Sequence, residues 1–391
     1  MPKSCRRRCR PISSRAEPAP AIHPQIPTPA PRPTSISVIG AGVVGLSVAW
    51  LLSQQGHAVL LIDPALEGGQ SDEAGSSAAL GLLMGQVFRR SSGRSWRLRQ
   101  QSLALWQAWR AQLEQRGALI PFRPGLLQLA SNEEEWLAQQ RLAEQRQRQG
   151  LPLQLIDPET LQALQPALPS SAPGGLLSPL DGQIDPLPAM QALLHDARRQ
   201  GLQTLATNAL AIERGCGAPE QRWCVHTDAG LHHSRWLVIA AGLASPALLK
   251  PLGHERPQSP VLGQALELQL PAGCDASGWP GSLSWGGINL VPRPGRRLWL
   301  GATVEPGVTT SSPEALAGLR DLGGAAPPWL LEAEVLRHWQ GLRARPDNRP
   351  APLIETLEPG LLLTSGHYRN GVLLAPASSA WVAEQVAEQQ P

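Results

Sequence analysis

Residues 35–64 constrain the fold of this chain more than any other part of its sequence. They have the pattern of a buried strand, the glycine turn GAGVVG (40–45), a helix over 46–52 that stops before Gly56, and a second buried strand over 58–62. Asp63 follows the second strand directly. Strand, glycine turn, helix, strand and acid in this order form the fingerprint of a dinucleotide-binding fold. The segment therefore predicts a nucleotide site at the start of the helix.

Each polar or glycine position of this segment has a separate predicted task. Gly40 permits the tight turn, Gly42 lets the backbone approach a pyrophosphate, and Gly45 allows the helix to pack closely on the strand. The helix N-terminus offers unpaired N–H groups and a partial positive charge to the phosphates. Asp63, which lies 23 residues after Gly40, can accept hydrogen bonds from ribose hydroxyls. A membrane-spanning interpretation of residues 36–52 is disfavoured, because the stretch is shorter than about 20 residues and contains glycines and serines.

The net charge of the chain is distributed unevenly, and this argues against a nucleic-acid partner. Of the overall +3, residues 1–34 contribute +6, from seven Lys and Arg against one Glu, so the remaining residues carry −3. A basic binding face is therefore not expected on the body of the protein. The length of 391 residues allows two domains with ordinary hydrophobic cores.

The first 34 residues are predicted to be a disordered tail, because they are rich in Pro, Ala, Ser and Arg. They lack the apolar core of a secretory signal; an organellar transit peptide and a misplaced start codon both remain open. Cys5 and Cys9 have no His or Cys cluster near them, and no spaced ligand set occurs elsewhere, so we expect no metal. Five cysteines without paired spacing favour a cytoplasmic protein.

The order of predicted elements indicates a mixed α/β fold whose nucleotide domain is interrupted by other material. Helices are predicted over 95–116, 132–149, 328–340 and from about Pro376 to the end, and Asp185 is a predicted helix N-cap. We expect a Rossmann-like domain from residues 35–86, 174–254 and 341–391, and a substrate domain with an antiparallel sheet from residues 87–173 and 255–340. Because a nicotinamide dehydrogenase would keep its alternating pattern contiguous, the interruption favours a flavin.

Seven strings in the same order along residues 35–388 resemble the D-amino-acid-oxidase-like flavoproteins, and within them the glycine oxidases of thiamine biosynthesis. The most specific is GHYRNGVLLAPASSAWVAE (366–384). The others are GSSAALGLL, IDP before a helix, VIAAGLAS, PVLGQALEL, LVPRPGRRLWLGATVEPG and WQGLRARPDNRPAPLIE.

The resemblance implies non-covalent FAD and oxidation of a small amino acid, most simply glycine, at its amine carbon. Hydride passes to flavin N5, and dioxygen returns the flavin to its oxidised state with release of hydrogen peroxide; the imine hydrolyses to glyoxylate and ammonia or serves thiazole synthesis. It places Arg343 and Arg369 at the substrate carboxylate, where each guanidinium offers a planar fork; for either, an ordinary surface arginine is the alternative. It also places near FAD the residues Gly40, Gly42, Val43, Val44, Gly45, Asp63, Pro64, Gly75, Ser76, Leu80, Gly81, Leu82, Leu210, Gly242, His367, Tyr368, Arg369, Asn370, Gly371, Val372 and Leu373.

Two departures from the family pattern bear on the substrate and the cofactor. Asn289 stands where glycine oxidases usually have a tyrosine that helps to hold the carboxylate, and Tyr368 is the only tyrosine that can supply such a hydroxyl. No cysteine follows Cys274, which excludes the cysteine-linked FAD of some sarcosine oxidases.

Several alternatives therefore stay open. They are a sarcosine or D-amino-acid oxidase, a dehydrogenase using another electron acceptor, the flavin domain of a tRNA-modifying enzyme and a flavin-binding protein without turnover. We expect no membrane partner; a homo-oligomer and contact with thiazole synthase are open.

Overall fold

The computed structural model of the protein describes residues 33–66, 75–215 and 218–388. The predicted disordered tail, residues 1–34, lies outside the described residues except for its last two positions. Cys5 and Cys9, for which we expect no metal, also lie outside them. Thr34 is buried, its N–H donates to the His57 Nδ1 atom over 3.3 Å, and its carbonyl accepts from the Ala58 N–H. The ordered body therefore includes Thr34, at the end of the predicted tail.

The described residues form nine α-helices, nineteen strands and several short 3-10 turns. The helices are α1 Val43–Gln54, α2 Gly93–Gln115, α3 Glu133–Arg148, α4 Pro158–Ala163, α5 Pro186–Arg199, α6 Ser245–Leu249, α7 Pro313–Asp321, α8 Pro328–Glu332 and α9 Gly371–Glu388. The strands are β1 Ser35–Ile39, β2 Ala58–Ile62, β3 Leu82–Leu83, β4 Phe122–Leu129, β5 Gln154–Ile156, β6 Gly175–Ile184, β7 Gln203–Leu205, β8 Ala209–Arg214, β9 Trp223–Thr227, β10 Gly230–Ser234, β11 Trp236–Ile239, β12 Gln258–Gln269, β13 Ser282–Trp285, β14 Ile288–Arg293, β15 Arg297–Gly301, β16 Glu305–Pro306, β17 Glu334–Pro346, β18 Leu353–Glu358 and β19 Leu361–Ser365.

A six-stranded sheet in the order β18-β19-β11-β1-β2-β7 contains the predicted dinucleotide-binding unit. All neighbouring pairs are parallel except β18 with β19. Strand β1 lies in its middle and is buried on both faces, as its continuous apolar sequence predicts. Helix α1 packs against α5 and α9 on one face of this sheet. The predicted strand–turn–helix–strand order is thus confirmed, and so is the mixed α/β class.

A larger sheet of ten strands follows the order β16-β12-β15-β14-β13-β4-β6-β3, with β17 paired to β12 and β5 to β6. Most of its pairs are antiparallel, but β4 and β13 run parallel. A three-stranded sheet, β10-β9-β8, completes the fold. The predicted two-domain division stays a prediction: the sheets follow it broadly, although β3, β6 and the end of β17 join the large sheet from segments assigned to the nucleotide domain.

The prediction of a helix over 328–340 is wrong beyond its first turn. Helix α8 ends at Glu332, and β17 then runs along almost the whole length of β12, from Gln258–Pro346 to Gln269–Glu334. Long-range pairing of this kind overrides local helix propensity, which the sequence alone cannot show. The strand matters for the site because it carries Arg343.

The last helix begins five residues earlier than predicted, at Gly371, and Pro376 lies inside it. Proline lacks an N–H group, so the carbonyl of Val372, four residues before it, loses its helical partner. Trp106 of α2 supplies the missing donor through its Nε1–H, at 2.8 Å. The next N–H group along the helix, that of Ala377, donates to the Ser102 Oγ atom at 3.2 Å. Helix α2 thereby completes the backbone hydrogen bonding of α9.

Candidate active site and cofactor-binding cavity

A cavity of about 1470 Å³ lies at the carboxyl ends of β1 and β11, where the glycine turn, the β17 strand and the C-terminal segment meet. Ligands in open α/β sheets bind at this edge. The lining of the cavity extends from Asp63 and Pro64 at one end to Asn289 and Arg343 at the other. Most of the predicted site residues line it.

The glycine turn has the geometry that its sequence predicts. Gly40 has a φ of +105°, a region closed to most other residues. A Cβ atom on Gly45 would lie 1.8 Å from the Gly40 carbonyl oxygen, so α1 can pack on the turn only if residue 45 is glycine. Gly42 is the N-cap of α1, and the N–H of Val43, the next residue, donates to the Ser76 Oγ atom at 3.0 Å. The N-terminus of α1 is therefore open to the cavity and held beside the 75–82 loop.

Asp63 lies at the end of β2 and faces the turn. Its Oδ2 atom accepts the Ala41 N–H at 2.7 Å, and its Oδ1 atom accepts the Ala65 N–H at 2.8 Å. Among the described residues that line the cavity, it is the only acidic one. This carboxylate is thus fixed at the nucleotide end, where ribose hydroxyls are the donors that it suits.

We expect Asp63→Asn to weaken FAD binding by about 10- to 100-fold, because a hydrogen bond to a charged group contributes about 1.5–3 kcal/mol. The amide would also turn one N–H group towards a backbone N–H donor. Titration of the apoprotein with FAD, followed by flavin fluorescence, measures the effect. Asp157→Asn is the matched control, since Asp157 is an exposed carboxylate that only caps α4. Equal FAD affinities of the two variants would contradict the assignment.

The loop over residues 75–82 passes between the glycine turn and β17. A Cβ on Gly75 would lie 2.8 Å from the Leu342 carbonyl oxygen, and one on Gly81, whose φ is +78°, would lie 1.7 Å from the Ile184 carbonyl oxygen. Both glycines are thus required for close approach of the backbone. The loop residues Ser76, Leu80, Gly81 and Leu82 line the cavity, as predicted.

The C-terminal segment brings a helix N-terminus to the cavity. Residues Tyr368–Asn370 form a 3-10 turn that leads directly into α9 at Gly371, and Tyr368 has a φ of +55°. Residues 366–372 line the cavity. Because α9 starts here rather than at Pro376, its positive end lies at the cavity wall itself. Such an end can stabilise negative charge on a bound flavin.

His367 is the only histidine that lines the cavity among the described residues, and it is held neutral. Burial, followed by the charge of Arg94, lowers the pKa of its imidazole to about 3. Its Nε2 atom lies 2.8 Å from the Ser378 Oγ atom, which itself donates to the Leu374 carbonyl. This side chain is therefore part of the wall and is engaged with α9.

Arg343 and Arg369 both reach the cavity, at the end away from Asp63. The Arg343 Nη1 atom donates to the carbonyls of Leu262 and Thr303 at 3.1 and 3.0 Å. A side chain at Gly263 would overlap this guanidinium, with a Cβ only 2.1 Å from Nη2. Burial and then the charge of Arg369 lower the pKa of Arg343. The two cations are close enough to repel each other, which an anion between them would relieve.

Asn289 lines the same end of the cavity from β14 and is 8% exposed. Its Oδ1 atom is buried without a hydrogen-bond partner among the described residues. The position predicted to differ from the family therefore lines the same cavity as Arg343 and Arg369.

Three predicted residues do not line the cavity. Gly45 acts through packing, as predicted. Leu373 is buried behind Val372, and the side chain of Leu210 is 58% exposed, whereas its neighbours Asn208 and Ala209 do line the cavity. The resemblance implies that Leu210 contacts the adenine through its backbone, on which the exposure of its side chain has no bearing, so the cofactor contacts of Leu210 and Leu373 stay predictions. Sequence reasoning missed several lining residues that belong to no motif: Phe88, Arg89, Arg90, Arg99, Gln128, Leu187, Met190, Gln191 and Leu194.

The described ranges contain neither a metal-ligand cluster nor a membrane span. Within them, no three His, Cys, Asp or Glu side chains are grouped so that they could hold a metal ion. None of the helices there has the length and apolarity needed to cross a bilayer.

Comparison with known families agrees with this geometry. The sequence model of the DAO family, described as FAD dependent oxidoreductase, matches residues 35–385. The chain belongs to this family of FAD-dependent oxidoreductases. The glycine turn, Asp63 and the α9 N-terminus fit the cofactor that the family name implies, so the prediction of FAD is confirmed.

The resemblance to glycine oxidases is also confirmed. The chain is 27% identical to the glycine oxidase of Geobacillus kaustophilus, over 91% of this chain and 93% of that protein. The crystal structure of glycine oxidase from Geobacillus kaustophilus superposes with a TM-score of 0.80 and covers 92% of this chain and 96% of its own. The bifunctional protein ThiO/ThiG of Nostoc sp. is 28% identical over 91% of this chain and 53% of its own length.

Proposed function

We propose that the protein oxidises a small amino acid, glycine in the first instance, at its amine carbon. The observation that carries this proposal is the pair Arg343 and Arg369, which line the cavity together with Arg89, Arg90 and Arg99, whereas Asp63 is its only acidic lining residue in the described ranges. The charge of Glu305 raises the pKa of Arg343. The Glu305 Oε1 atom already accepts hydrogen bonds from the Thr303 hydroxyl and, at 2.9 Å, from the Gln264 Nε2 atom. An amino-acid carboxylate supplies the anion that this end lacks.

The residues present would orient the substrate and leave the proton chemistry to the substrate itself. With its carboxylate bound to the two arginines, the amino acid is held at one end, and this contact orients its amine carbon within the cavity. His367 is neutral, buried and bound to Ser378, so it does not serve as a base. The amine must therefore arrive unprotonated. A flavin bound in the cavity would supply the two-electron acceptor for the hydride of the amine carbon, and dioxygen would be the final acceptor, giving hydrogen peroxide.

The product is an imine, which hydrolyses to glyoxylate and ammonia. The similarity to the Nostoc ThiO/ThiG protein supports a role of this imine in thiazole synthesis, with a thiazole synthase as the partner. The sequence contains only five cysteines, without paired spacing in the body, which supports a cytoplasmic location for this reaction.

A second candidate is a sarcosine or D-amino-acid oxidase, or a dehydrogenase with the same substrates. The observation in its favour is Asn289, which is smaller than the tyrosine of the family pattern and keeps an amide oxygen without a partner, among the described residues, at the substrate end. A substituent on the nitrogen or on the amine carbon would find both space and a polar contact there.

Anaerobic mixing of the FAD-loaded protein with glycine tests the proposal. We expect the visible absorption band of the flavin to bleach when glycine is added without air. Admission of air should restore the band and release one hydrogen peroxide for each imine formed. Sarcosine and D-alanine, used in parallel, separate the second candidate from the first. Bleaching that air does not reverse would indicate a dehydrogenase. A flavin band that none of the three amino acids changes would refute amino-acid oxidation.

A further inference from the structure

Residues 84–90 form a wall of the cavity that belongs to no helix or strand. The segment connects β3 to the start of α2, and five of its residues line the cavity: Met84, Val87, Phe88, Arg89 and Arg90. Backbone groups of such a segment need partners from elsewhere, because no ladder satisfies them. Two buried, charged side chains supply those partners.

The first is Asp181 of β6, which is 0% exposed. Its Oδ1 atom accepts the N–H groups of Gly85 and Gln86, both at 2.8 Å. Its Oδ2 atom accepts those of Gln86 and Val87, both at 3.1 Å. Three successive backbone N–H groups therefore converge on one carboxylate.

The second is Arg146 of α3, which is also 0% exposed. Its Nε atom donates to the Gln86 carbonyl at 3.0 Å, and its Nη2 atom donates to the carbonyls of Phe88 and Arg90. The guanidinium stacks on the Trp96 ring with 4.1 Å between Cζ and the ring centroid. The N–H side of the segment is thus held by an anion and the C=O side by a cation.

The wall lies at the substrate end of the cavity. Val87, Arg89 and Gln128 line both the cavity and a smaller groove of about 250 Å³, which continues outward along α3. Gln128 pairs with Ser284, and Ser284 pairs with Asn289, so these three form one row across the large sheet. Gln128 and Asn289 are consequently about 10 Å apart, two strand spacings. The wall therefore separates the region near Asn289 from the groove.

We propose that Asp181 and Arg146 are positioning residues, which fix segment 84–90 as the wall that sets how a substrate fits at the Asn289 end of the cavity. This inference rests on the proposed function, because its kinetic test measures the KM for glycine. Neither side chain lines the cavity, so each acts through the backbone that it holds. Loss of either partner frees the wall without removing any group that faces the substrate or the flavin.

The charge state of Asp181 gives the wall a pH dependence. Burial raises the pKa of this carboxyl to about 6, despite the backbone donors and the Ser178 hydroxyl that lower it. The charged groups that face it are Arg99 of α2 and Arg146 of α3. As the pH falls below about 6, Asp181 gains a proton and one oxygen ceases to accept. Since the backbone donors lower this pKa, a segment that leaves the carboxyl while Asp181 stays buried raises the pKa further, and protonation therefore favours local release of the segment. Global stability is not reduced, because the folded-state pKa lies above the unfolded value.

The kinetic test compares Asp181→Asn with Asp157→Asn, whose exposed carboxylate caps α4 and does not line the cavity. We expect Asp181→Asn to raise the KM for glycine by about 10-fold or more, since small misplacements near a site have effects of this order. The FAD dissociation constant should stay near that of the wild type. Because the amine must arrive unprotonated, KM rises with falling pH in the wild type and in every variant alike. Below about pH 6 the wild type should show an additional rise, which Asp181→Asn lacks. An unchanged KM with the wild-type pH profile would overturn the proposal.

Hydrogen exchange of the wild-type protein keeps the proposal testable if the variant does not fold or no substrate is found. After correction for the intrinsic rate, the amides of residues 85–87 should lose protection between pH 7 and pH 5, whereas the amides of α1 should not. Equal protection of residues 85–87 at both pH values would refute the clamp, by which we mean the hold of Asp181 and Arg146 on segment 84–90. This outcome does not depend on which substrate the enzyme oxidises. A clamp confirmed by exchange, together with a flavin that no amino acid reduces, would refute only the proposed function.

Discussion

Arg343→Gln is expected to raise the KM for glycine by about 10²- to 10³-fold, because breaking a buried ion pair costs about 3–5 kcal/mol. The carboxylate is bound in the ground state and in the transition state alike, so most of the loss should appear in KM. A smaller fall in kcat should follow, since a substrate held by Arg369 alone is less well aligned. Steady-state kinetics over a wide range of glycine concentrations measure both effects.

Arg345→Gln is the matched control for this substitution. Arg345 lies on the same strand, two residues further on, but it does not line the cavity. We expect its kinetic constants to stay within a factor of about two of the wild type, as is usual for substitutions away from a site. FAD should remain bound in both variants. If Arg343→Gln and Arg345→Gln had the same KM, Arg343 would not hold the substrate.

Gly45→Ala is expected to weaken FAD binding by about 10²-fold or more. The new Cβ would lie 1.8 Å from the Gly40 carbonyl oxygen and 3.2 Å from the Ala240 Cβ atom. Relief requires α1 to move away from the turn that would hold the pyrophosphate. Overpacking against backbone costs about 3 kcal/mol or more, which corresponds to a loss of FAD affinity of about 10²-fold or more. The absorbance ratio of flavin to protein after gel filtration measures the retained cofactor.

Gly318→Ala separates this effect from a general intolerance of glycine replacement. Gly318 lies in α7 and is exposed, and a Cβ atom added to it would meet no described atom within 4 Å. Alanine there should leave FAD content unchanged and raise stability by about 0.5–1 kcal/mol. Full FAD content in Gly45→Ala would show that the turn is not the cofactor site.

Local sequence patterns predict the nucleotide end of the cavity well. The turn, α1, β2 and Asp63 are contiguous in sequence. The spacing of the glycines and the acid after β2 are therefore sufficient to predict how this segment folds. The Trp and Leu pattern of residues 95–116 likewise predicts α2, where Trp106 and Trp109 are buried. Both features depend on neighbours within a few turns of the chain.

The substrate end depends on contacts between distant segments, and here sequence alone is insufficient. Strand β17 exists because it pairs with β12, about 80 residues earlier; its own composition does not distinguish it from a continuation of α8. Segment 84–90 has no periodicity, and its partners Asp181 and Arg146 come from β6 and α3. Asp185 does precede α5 as predicted, but its side chain makes no cap hydrogen bond and pairs instead with Arg293 of β14.

The position of Pro376 within α9 has a consequence for how the protein is made. The turn of α9 that faces the flavin is completed by Trp106 and Ser102, which leave the ribosome more than 250 residues before it. β19, next to β11 in the central sheet, also comes from the last part of the chain. A nascent chain that stops short of β19 thus lacks both a strand of the central sheet and the helix end of the cofactor site. Stable uptake of FAD should therefore await synthesis of β19 and α9, which makes flavin content a measure of whether both elements have been made and have joined the fold.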